Sequence, residues 1–188
     1  MAFRRDSGLL RRTDTFLMVI DLQEPLMRVI QRADAVAARC VLLMEAARLL
    51  DLPIIVTVQN RDRLGDLIPE VRERLTVDQP VRNKMTFSCM RDEAIAADIA
   101  ALERRQALLC GVETHVCVHQ TAQDLRALGY EVHVAEDAVS SRSESNREAA
   151  LRRFGASGIT ITSAEMAIYE LMERAGTDEF RRILPLVR

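Results

Sequence analysis

The chain has 188 residues, of which 48% are hydrophobic and 29% are charged, and its formal net charge at pH 7 is −2. This length and composition are typical of one soluble globular domain, here residues 1–188, that can bury a full core. The near-neutral charge argues against a nucleic-acid partner, and no apolar run approaches the roughly 18 residues that a membrane span needs.

The amino-terminal segment, FRRDSGLLRRTD, is locally basic, but acidic residues interrupt it and no long apolar run follows. We interpret residues 1–12 as a flexible or surface arm, with a cleaved targeting peptide as the alternative. Widely spaced cysteines in a chain without a signal-peptide pattern are typical of reduced thiols in the cytoplasm. We therefore expect a cytoplasmic protein without disulfides, whose cysteines are Cys40, Cys89, Cys110 and Cys117.

The first half of the chain alternates strand-like runs with helical patterns. TFLMVID (15–21) and PIIVTVQ (53–59) are short β-branched runs typical of buried parallel strands. EPLMRVI begins a helix with Pro25 in its first turn, and apolar residues recur at helical spacing over 33–50. A weaker helix over about 66–75 leads to PVRNKMTFSCM, of which we interpret NKMTFSCM as a loop.

The second half continues the same alternation. DEAIAADIAALERR (92–105) predicts a helix and QALLCGV (106–112) predicts a strand. A helix from near Val116 to Leu128 ends before Gly129, a residue type that commonly follows a helix. YEVHVAED (130–137) then alternates as another strand. 

Two capping boxes, SNRE and TSAE, predict that the last helices begin after Ser145 and Thr162, with GIT (158–160) as an edge strand between them. Because the crossovers are long enough to force parallel pairing, the chain is predicted to belong to the α/β class. The expected fold is a three-layer α/β/α sandwich around a mainly parallel, six-stranded, Rossmann-like sheet. Sites in such sheets lie beyond the carboxyl ends of the strands. The candidate positions are therefore Asp21, the segment after Gln59, the GVETHVC turn and Asp137.

His115, Cys117 and His119 form an H-x-C-x-H pattern that looks like a metal-ligand cluster. On a helix, however, residues 115 and 119 share a face, whereas residue 117 is turned about 200° from residue 115. The sequence also lacks a CxxC or HExxH companion, and Cys110 and Cys117 lack the spacing of a redox pair. We therefore expect neither a metal nor a cofactor here.

Cys117 is instead a candidate nucleophile. With Thr114 as the N-cap, Cys117 would be the third helical residue, where unpaired N–H groups and the helix dipole favour a thiolate and can bind an oxyanion. Asp21, at a strand end, and Lys84, in a loop, are candidates for its base and its cationic partner. Their positions also suit a helix cap and a solvated loop residue, so neither residue is conclusive alone.

Together, VIDLQ, K-x-x-F-S and LLCGVETHVCV resemble the isochorismatase-like cysteine hydrolases, which include nicotinamidases and N-carbamoylsarcosine amidohydrolase. The similarity extends over about residues 13–184. The block EDAVSSRSESNREAALRRFGASGITITSAE is most similar to the isochorismatase domain-containing branch. The resemblance implies Asp21 as general base, Lys84 as cationic partner and Cys117 as nucleophile.

The resemblance also implies a cis peptide between Val112 and Glu113. This bond would shape an oxyanion hole made by backbone N–H groups around Val116 and Cys117. The residues that match substrate-binding positions are Gln23, Phe87 and Glu113.

Nicotinamidases in the family carry a metal motif of acids and histidine after the second strand, where this chain reads VQNRDRLGDLIPE, without histidine. Members that act on isochorismate often lack the cysteine, so Cys117 favours cleavage of an amide or ureido C–N bond through a thioester. We therefore expect a metal-independent hydrolase with a small-molecule substrate, assembled as a homo-oligomer (dimer or tetramer). The alternatives are an isochorismatase-type vinyl ether hydrolase, a catalytically idle oligomeric scaffold and a thiol sensor.

The remaining polar residues near these turns receive structural interpretations. His115 and His119 suit the polar face of a helix or a subunit contact, and His133 suits a structural position in its strand. Asp137 and Arg142, with Ser140, either form a loop network or touch a neighbouring subunit.

Overall fold

The structure, a computed structural model, describes residues 8–188. The strands are β1 (Thr15–Ile20), β2 (Ile54–Gln59), β3 (Val81–Lys84), β4 (Gln106–Val112), β5 (Glu131–Ser140) and β6 (Thr160–Thr162). They form one six-stranded sheet in the order β3-β2-β1-β4-β5-β6. Every neighbouring pair is parallel, so the predicted parallel sheet is confirmed.

Helices connect the strands and cover both faces of the sheet. They are α1 (Glu24–Met27), α2 (Ala33–Leu49), α3 (Arg61–Leu64), α4 (Pro69–Arg72), α5 (Glu93–Ala101), α6 (His119–Ala127), α7 (Glu144–Ala156), α8 (Ala164–Met172) and α9 (Asp178–Ile183). Residues of α2, α8 and α9 share one hydrophobic cluster, and residues of α5, α6 and α7 share another. The three-layer sandwich is therefore confirmed. Within residues 8–188, no helix has the length and apolar character needed to cross a membrane.

The central strand β1 contributes to the core on both faces. Leu17 and Val19 join the cluster under α2, whereas Phe16 and Met18 join the cluster under α5. Because both faces are covered, β1 is a continuous apolar run and not an apolar–polar alternation. Its position between β2 and β4 brings Asp21 to the middle of the carboxyl edge.

The strand order also creates a crevice at that edge. From β1 the chain proceeds outward through β2 to β3, and it then returns to place β4 on the other side of β1. Ligands of open parallel sheets bind at such a switch point, where the loops on the two sides diverge. The loops that follow β1 and β4 contain Asp21 and Cys117, so both residues lie at the switch point.

Two predictions for the segment between β2 and α5 are wrong. The helix expected over about 66–75 is a single turn, α4, which begins at Pro69. The loop expected around Lys84 overlaps the edge strand β3, and Lys84 is the last residue of that strand. This strand, VRNK, has one apolar side chain and one sheet neighbour, so it has neither an apolar run nor an alternation to reveal it.

The capping boxes give slightly wrong starts for the last two long helices. The N-cap of α7 is Ser143, and not Ser145. The N-cap of α8 is Ser163, and not Thr162, and its hydroxyl accepts a hydrogen bond from the Met166 N–H. The edge strand predicted between these helices is confirmed as β6, shifted toward the carboxyl terminus.

Part of the predicted amino-terminal arm is packed on the domain, whereas its residues 1–7 lie outside the described residues. Leu10 is buried, and its N–H donates to the Glu170 carboxylate at 2.9 Å. The Arg12 guanidinium donates to the Leu50 carbonyl at 2.6 Å and pairs with Asp51. Residues 10–12 are therefore held by specific contacts.

Gly111 lets β1 and β4 approach each other near the carboxyl edge. Its φ is +112°, and a Cβ at this position would overlap the carbonyl oxygen of Ile20. The β4–β5 register shifts beside it, and β5 continues to Ser140, beyond its predicted end at Asp137. A side chain at position 111 would force apart the two strands that lead into the candidate site.

We expect Gly111→Ala to lower the free energy of unfolding by more than about 3 kcal/mol, because backbone strain and overlap with Ile20 act together. Gly129→Ala is the matched control, since Gly129 also has a positive φ, +89°, but faces open space. Its expected loss is about 1–2 kcal/mol. Urea unfolding of both variants measures the difference, and equal losses would contradict the proposed close approach.

Candidate active site

Asp21 and Lys84 form a buried ion pair at the carboxyl edge of the sheet. Lys84 Nζ lies 2.6 Å from Asp21 Oδ2, and both side chains are 0% exposed. Asp21 directly follows β1 and has a φ of +55°, a left-handed conformation that Asp tolerates better than most residues. Of the two readings of Lys84, the alternative of a solvated loop residue is therefore wrong.

Two side chains of β2 complete the hydrogen bonding of this pair. Thr57 Oγ1 donates to Asp21 Oδ1 at 2.8 Å, and Lys84 Nζ donates to Gln59 Oε1 at 2.6 Å. Gln59 lies opposite Lys84 in the register of β2 and β3, which places the two side chains next to each other. Buried charges are costly without such partners. Neither Thr57 nor Gln59 was predicted as a site residue, although two polar side chains at alternate positions of the buried run IIVTVQ were the available signal.

Cys117 lies beside the ion pair. Its thiol is close enough to Asp21 and Lys84 for both charges to act on it, and the residue is 7% exposed. Burial and the charge of Asp21 raise the pKa of the thiol, and the charge of Lys84 offsets only part of this effect. Burial also opposes the charge of Lys84, but attraction to Asp21 holds its pKa above the usual value. The resting site therefore contains a neutral thiol next to an ammonium–carboxylate pair.

The expectation that the helix N-terminus makes Cys117 a resting thiolate is wrong, because burial outweighs it. The predicted cap also differs. The helical turn is a π-helical segment, Thr114–Val118, whose N-cap is Glu113, so Cys117 is its fourth residue instead of its third. The Thr114 hydroxyl is buried and has no hydrogen-bond partner within residues 8–188. Short π-helical segments are frequent at functional sites.

The turn before Cys117 has the backbone geometry that the family resemblance implied, with a cis peptide between Val112 and Glu113. The N–H groups of Val116 and Val118 both donate to the Glu113 carbonyl, at 3.0 and 3.3 Å. The Val116 N–H, predicted to line an oxyanion hole, therefore already has an acceptor in the resting turn.

The three predicted substrate-binding residues lie in different surroundings. Gln23 is fully buried, and its side-chain amide bonds to the backbone of β2 and of the following loop. Phe87 is 55% exposed. The Glu113 carboxylate accepts a hydrogen bond from the Arg142 N–H at 2.9 Å. Only Phe87 has a mostly exposed side chain, so the three do not form one uniform pocket wall.

The histidines are structural in this geometry. His119, expected on a polar helix face or at a subunit contact, is 8% exposed, and its ring centroid lies 5.3 Å from that of Phe154. His133 is buried within β5. Burial lowers the pKa of both imidazoles. The Nδ1 atom of His115 lies 2.9 Å from the Ser141 hydroxyl, so this ring is tied to the loop after β5.

The polar residues at the end of β5 form a loop network within the chain, which was one of the two roles considered for them. Asp137 accepts a hydrogen bond from the Ala164 N–H at 2.8 Å, which links β5 to the start of α8. The Ser140 hydroxyl donates to the Gln31 carbonyl at 2.8 Å. With the Arg142 bond to Glu113, these contacts connect the loops that follow β1, β4 and β5.

The other cysteines are free and fully buried. Cys89 Sγ lies 3.9 Å from Thr57 Oγ1, and burial raises the pKa of its thiol to about 12.

Within residues 8–188, no group of three or more His, Cys, Asp and Glu side chains is placed to hold a metal ion. An open surface groove of about 540 Å³ lies between α1, α2 and α4, and neither Asp21 nor Lys84 lines it. The cluster around Cys117 is therefore the candidate active site.

Comparison with known sequences identifies similar proteins. The isochorismatase domain matches residues 15–166. The chain is 40% identical over 184 residues to the secreted isochorismatase effector Isc1 of Phytophthora sojae, an alignment that covers 96% of this chain and 88% of the relative. It is 35% identical over 191 residues to isochorismatase domain-containing protein 2A of Mus musculus, covering 100% of this chain and 89% of that protein.

Solved structures agree with the fold. The MAR1 ribonuclease from Caenorhabditis elegans is 33% identical and has a TM-score of 0.90, with 95% of this chain and 92% of that chain covered. The YcaC gene product of Escherichia coli, described as an octameric hydrolase of unknown specificity, is 22% identical with a TM-score of 0.86, covering 95% and 87%. The second similarity concerns the fold alone.

We expect neutralisation of Asp21 and of Lys84 to change the alkylation rate of Cys117 by iodoacetamide at pH 8 in opposite directions. Asp21→Asn removes a charge that raises the pKa of the thiol, so alkylation accelerates. Lys84→Met removes a charge that lowers this pKa, so alkylation slows. Each pKa unit changes the thiolate fraction about tenfold and its nucleophilicity about threefold in the opposite sense, which leaves a net change of about threefold.

Peptide mass spectrometry over time measures these rates. Each single variant leaves one buried charge unpaired, which costs roughly 3–5 kcal/mol, so the double variant Asp21→Asn/Lys84→Met is the control that restores charge balance. In the native protein Cys117 should be labelled first, because the other three cysteines are 0% exposed. Equal labelling of all four cysteines, or rate changes of the same sign in both single variants, would contradict the assignment.

Proposed function

This chain belongs to the isochorismatase family of hydrolases, and we propose that it cleaves a small amide or ureido C–N bond with Cys117 as the nucleophile. The family resemblance seen in the motifs is confirmed by the relatives, which include isochorismatase domain-containing proteins. The observation that carries the proposal is the Cys117 thiol beside the buried ion pair of Asp21 and Lys84. A thiol, a proton acceptor and a cation are the groups that thioester chemistry needs.

In the proposed first step, the Cys117 sulfur attacks the carbonyl carbon while its proton moves to Asp21. Because the pKa of the thiol is raised, proton removal accompanies attack and does not precede it as a stable thiolate. The C–N bond then breaks, and the leaving nitrogen takes the proton from Asp21. A thioester on Cys117 and a neutral amine result. Throughout this step, the positive charge of Lys84 offsets the negative charge on and around Asp21.

In the second step, water attacks the thioester while Asp21 accepts a proton from that water. The C–S bond breaks, the acid product leaves, and the proton returns to the Cys117 sulfur. We assign the oxyanion contact to the Cys117 N–H, in the turn shaped by Val112 and Glu113. The Val116 N–H contributes only if its bond to the Glu113 carbonyl opens.

The proposed reaction uses no metal ion. The segment from Asn60 to Arg72 that follows β2 contains no histidine. Its acidic residue Asp66 is paired with Arg72 at 2.8 Å. Aspartate and arginine in this arrangement form a surface ion pair and do not offer the nitrogen ligands that transition metals prefer.

The names of two similar proteins favour other substrates, which are included in the substrate panel described below. The name of the Phytophthora relative favours isochorismate, and that of the Caenorhabditis neighbour favours RNA. Against RNA, the net charge is −2, and the positive charge of Arg142 at the rim of the site is already paired with Glu113 at 3.7 Å.

The complete set of Asp21, Lys84 and Cys117 counts against an idle scaffold. The raised pKa of the thiol counts against a sensor, because sensors rely on accessible thiolates.

We expect an amide or carbamoyl compound to release ammonia or an amine with this enzyme. The panel contains primary amides, carbamoyl compounds, isochorismate and RNA, assayed for ammonia, pyruvate and cleaved RNA. Cys117→Ala and Asp21→Asn should abolish turnover, and EDTA should leave it unchanged. An acyl adduct on Cys117, detected by mass spectrometry, is the specific signature. Pyruvate release alone, or activity lost to EDTA and restored by zinc, would contradict the proposal.

We also propose a homo-oligomer in the cytoplasm, without a nucleic-acid or membrane partner. The octameric description of the Escherichia coli neighbour supports assembly, and the four free thiols support a reducing compartment. The name of the Phytophthora relative, a secreted effector, favours the opposite location. Light scattering at micromolar concentration should give the mass of a dimer or larger, and a monomer would contradict the assembly.

A further inference from the structure

Gln23 and Gln59 form a hydrogen-bonded chain that ends at Lys84. Gln23 Oε1 accepts from the Gln59 N–H at 2.7 Å, and Gln23 Nε2 donates to the Gln59 carbonyl at 2.9 Å. The side chain of Gln59 in turn accepts from Lys84 Nζ at 2.6 Å. Each link is buried, with exposures of 0% for Gln23, 9% for Gln59 and 1% for Lys84.

The amide of Gln23 occupies the place of a missing strand. The β1–β2 ladder ends where the Asp21 N–H donates to the Thr57 carbonyl, because β1 turns away after Asp21. Gln59, two residues further along β2, therefore has no β1 backbone beside it. The side chain of Gln23 pairs with both backbone groups of Gln59 as a peptide unit of the next strand would.

The orientation of the Gln59 side chain is fixed by its two partners. Its Nε2 donates to the Met85 carbonyl at 3.0 Å, so its Oε1 must face the Lys84 ammonium. Exchange of the amide oxygen and nitrogen would place a donor against a donor and an acceptor against an acceptor. Gln59 is therefore a fixed acceptor that holds Lys84 in addition to its partner Asp21.

We propose that Gln23 and Gln59 are positioning residues, which together hold the Lys84 ammonium against Asp21 and the Cys117 thiol. This inference rests on the proposed function, and it replaces the substrate contact that the family resemblance implied for Gln23. All of the polar atoms of the Gln23 side chain are engaged by the backbone of residues 59–65. The side chain acts on the reaction through Gln59 and Lys84.

The test measures alkylation of Cys117 by iodoacetamide at pH 8 in the full chain without substrate. Gln59→Leu and Gln23→Leu release one anchor of the ammonium, so its effect on the thiol weakens and alkylation slows. We expect a slowing of about two- to threefold, in the same direction as Lys84→Met and not exceeding it. Gln79→Leu is the matched control, since Gln79 bonds to the backbone at the other end of β2, at Ile54, and should leave the rate unchanged.

A second comparison separates positioning from general loss of structure. In the Lys84→Met background, Gln59→Leu should have no further effect on the rate, because its target is gone. An equal slowing with and without Lys84, or an unchanged rate in Gln59→Leu on the native background, would overturn the proposal. Urea midpoints establish that each variant is folded. If Gln23→Leu does not fold, the result for Gln59→Leu alone decides whether the proposal holds.

Turnover adds an independent readout on any substrate that the panel identifies. A positioning role predicts that Gln23→Leu lowers kcat with little change in KM, whereas a substrate contact would raise KM and leave alkylation unchanged. If the panel yields no substrate but the alkylation pattern holds, the proposed function fails and the positioning roles stand. The two ideas therefore fail by different measurements.

Discussion

A buried ammonium–carboxylate pair is the constraint on which the site depends. Asp21 and Lys84 are removed from water, and such a pair is tolerated only when its remaining hydrogen-bonding capacity is used. That requirement accounts for Thr57 and Gln59, two polar side chains inside an otherwise apolar strand. It also explains why three neighbouring strands must keep their register, since a one-residue slip would turn these side chains to the opposite face.

The same pair determines the state of the nucleophile. A cysteine at the start of a helix is commonly associated with a low pKa. Here burial and the carboxylate of Asp21 raise the pKa of Cys117. The positive charge of Lys84 offsets only part of this increase, because Lys84 is paired with Asp21. In the proposed reaction the proton therefore moves during attack, and Asp21 first accepts it and later gives it back. In that proposal, reactivity depends on a substrate carbonyl entering beside the thiol.

The fold and the ends of the central strands were predictable from sequence, whereas the contacts across strands were not. A continuous apolar run followed by an acid located Asp21, and the turn after the next central strand located Cys117. Lys84 was a weak candidate until the family motif supported it, because β3 is a short edge strand with too few apolar residues to be recognised. Gln59 depends on the register of β2 against β3, which no local pattern encodes. The pKa of Cys117 was misjudged because burial follows from packing and not from position on a helix.

The order of the strands along the chain has a consequence for synthesis on the ribosome. The residues of the ion pair and their β2 partners are all translated before β4, yet β1 remains half-paired until Thr15 meets Gln106 and the rest of that ladder forms. Cys117 follows β4 directly in the chain. A nascent chain therefore carries the residues of the buried pair early and gains Cys117, the proposed nucleophile, only after the strand that completes the middle of the sheet.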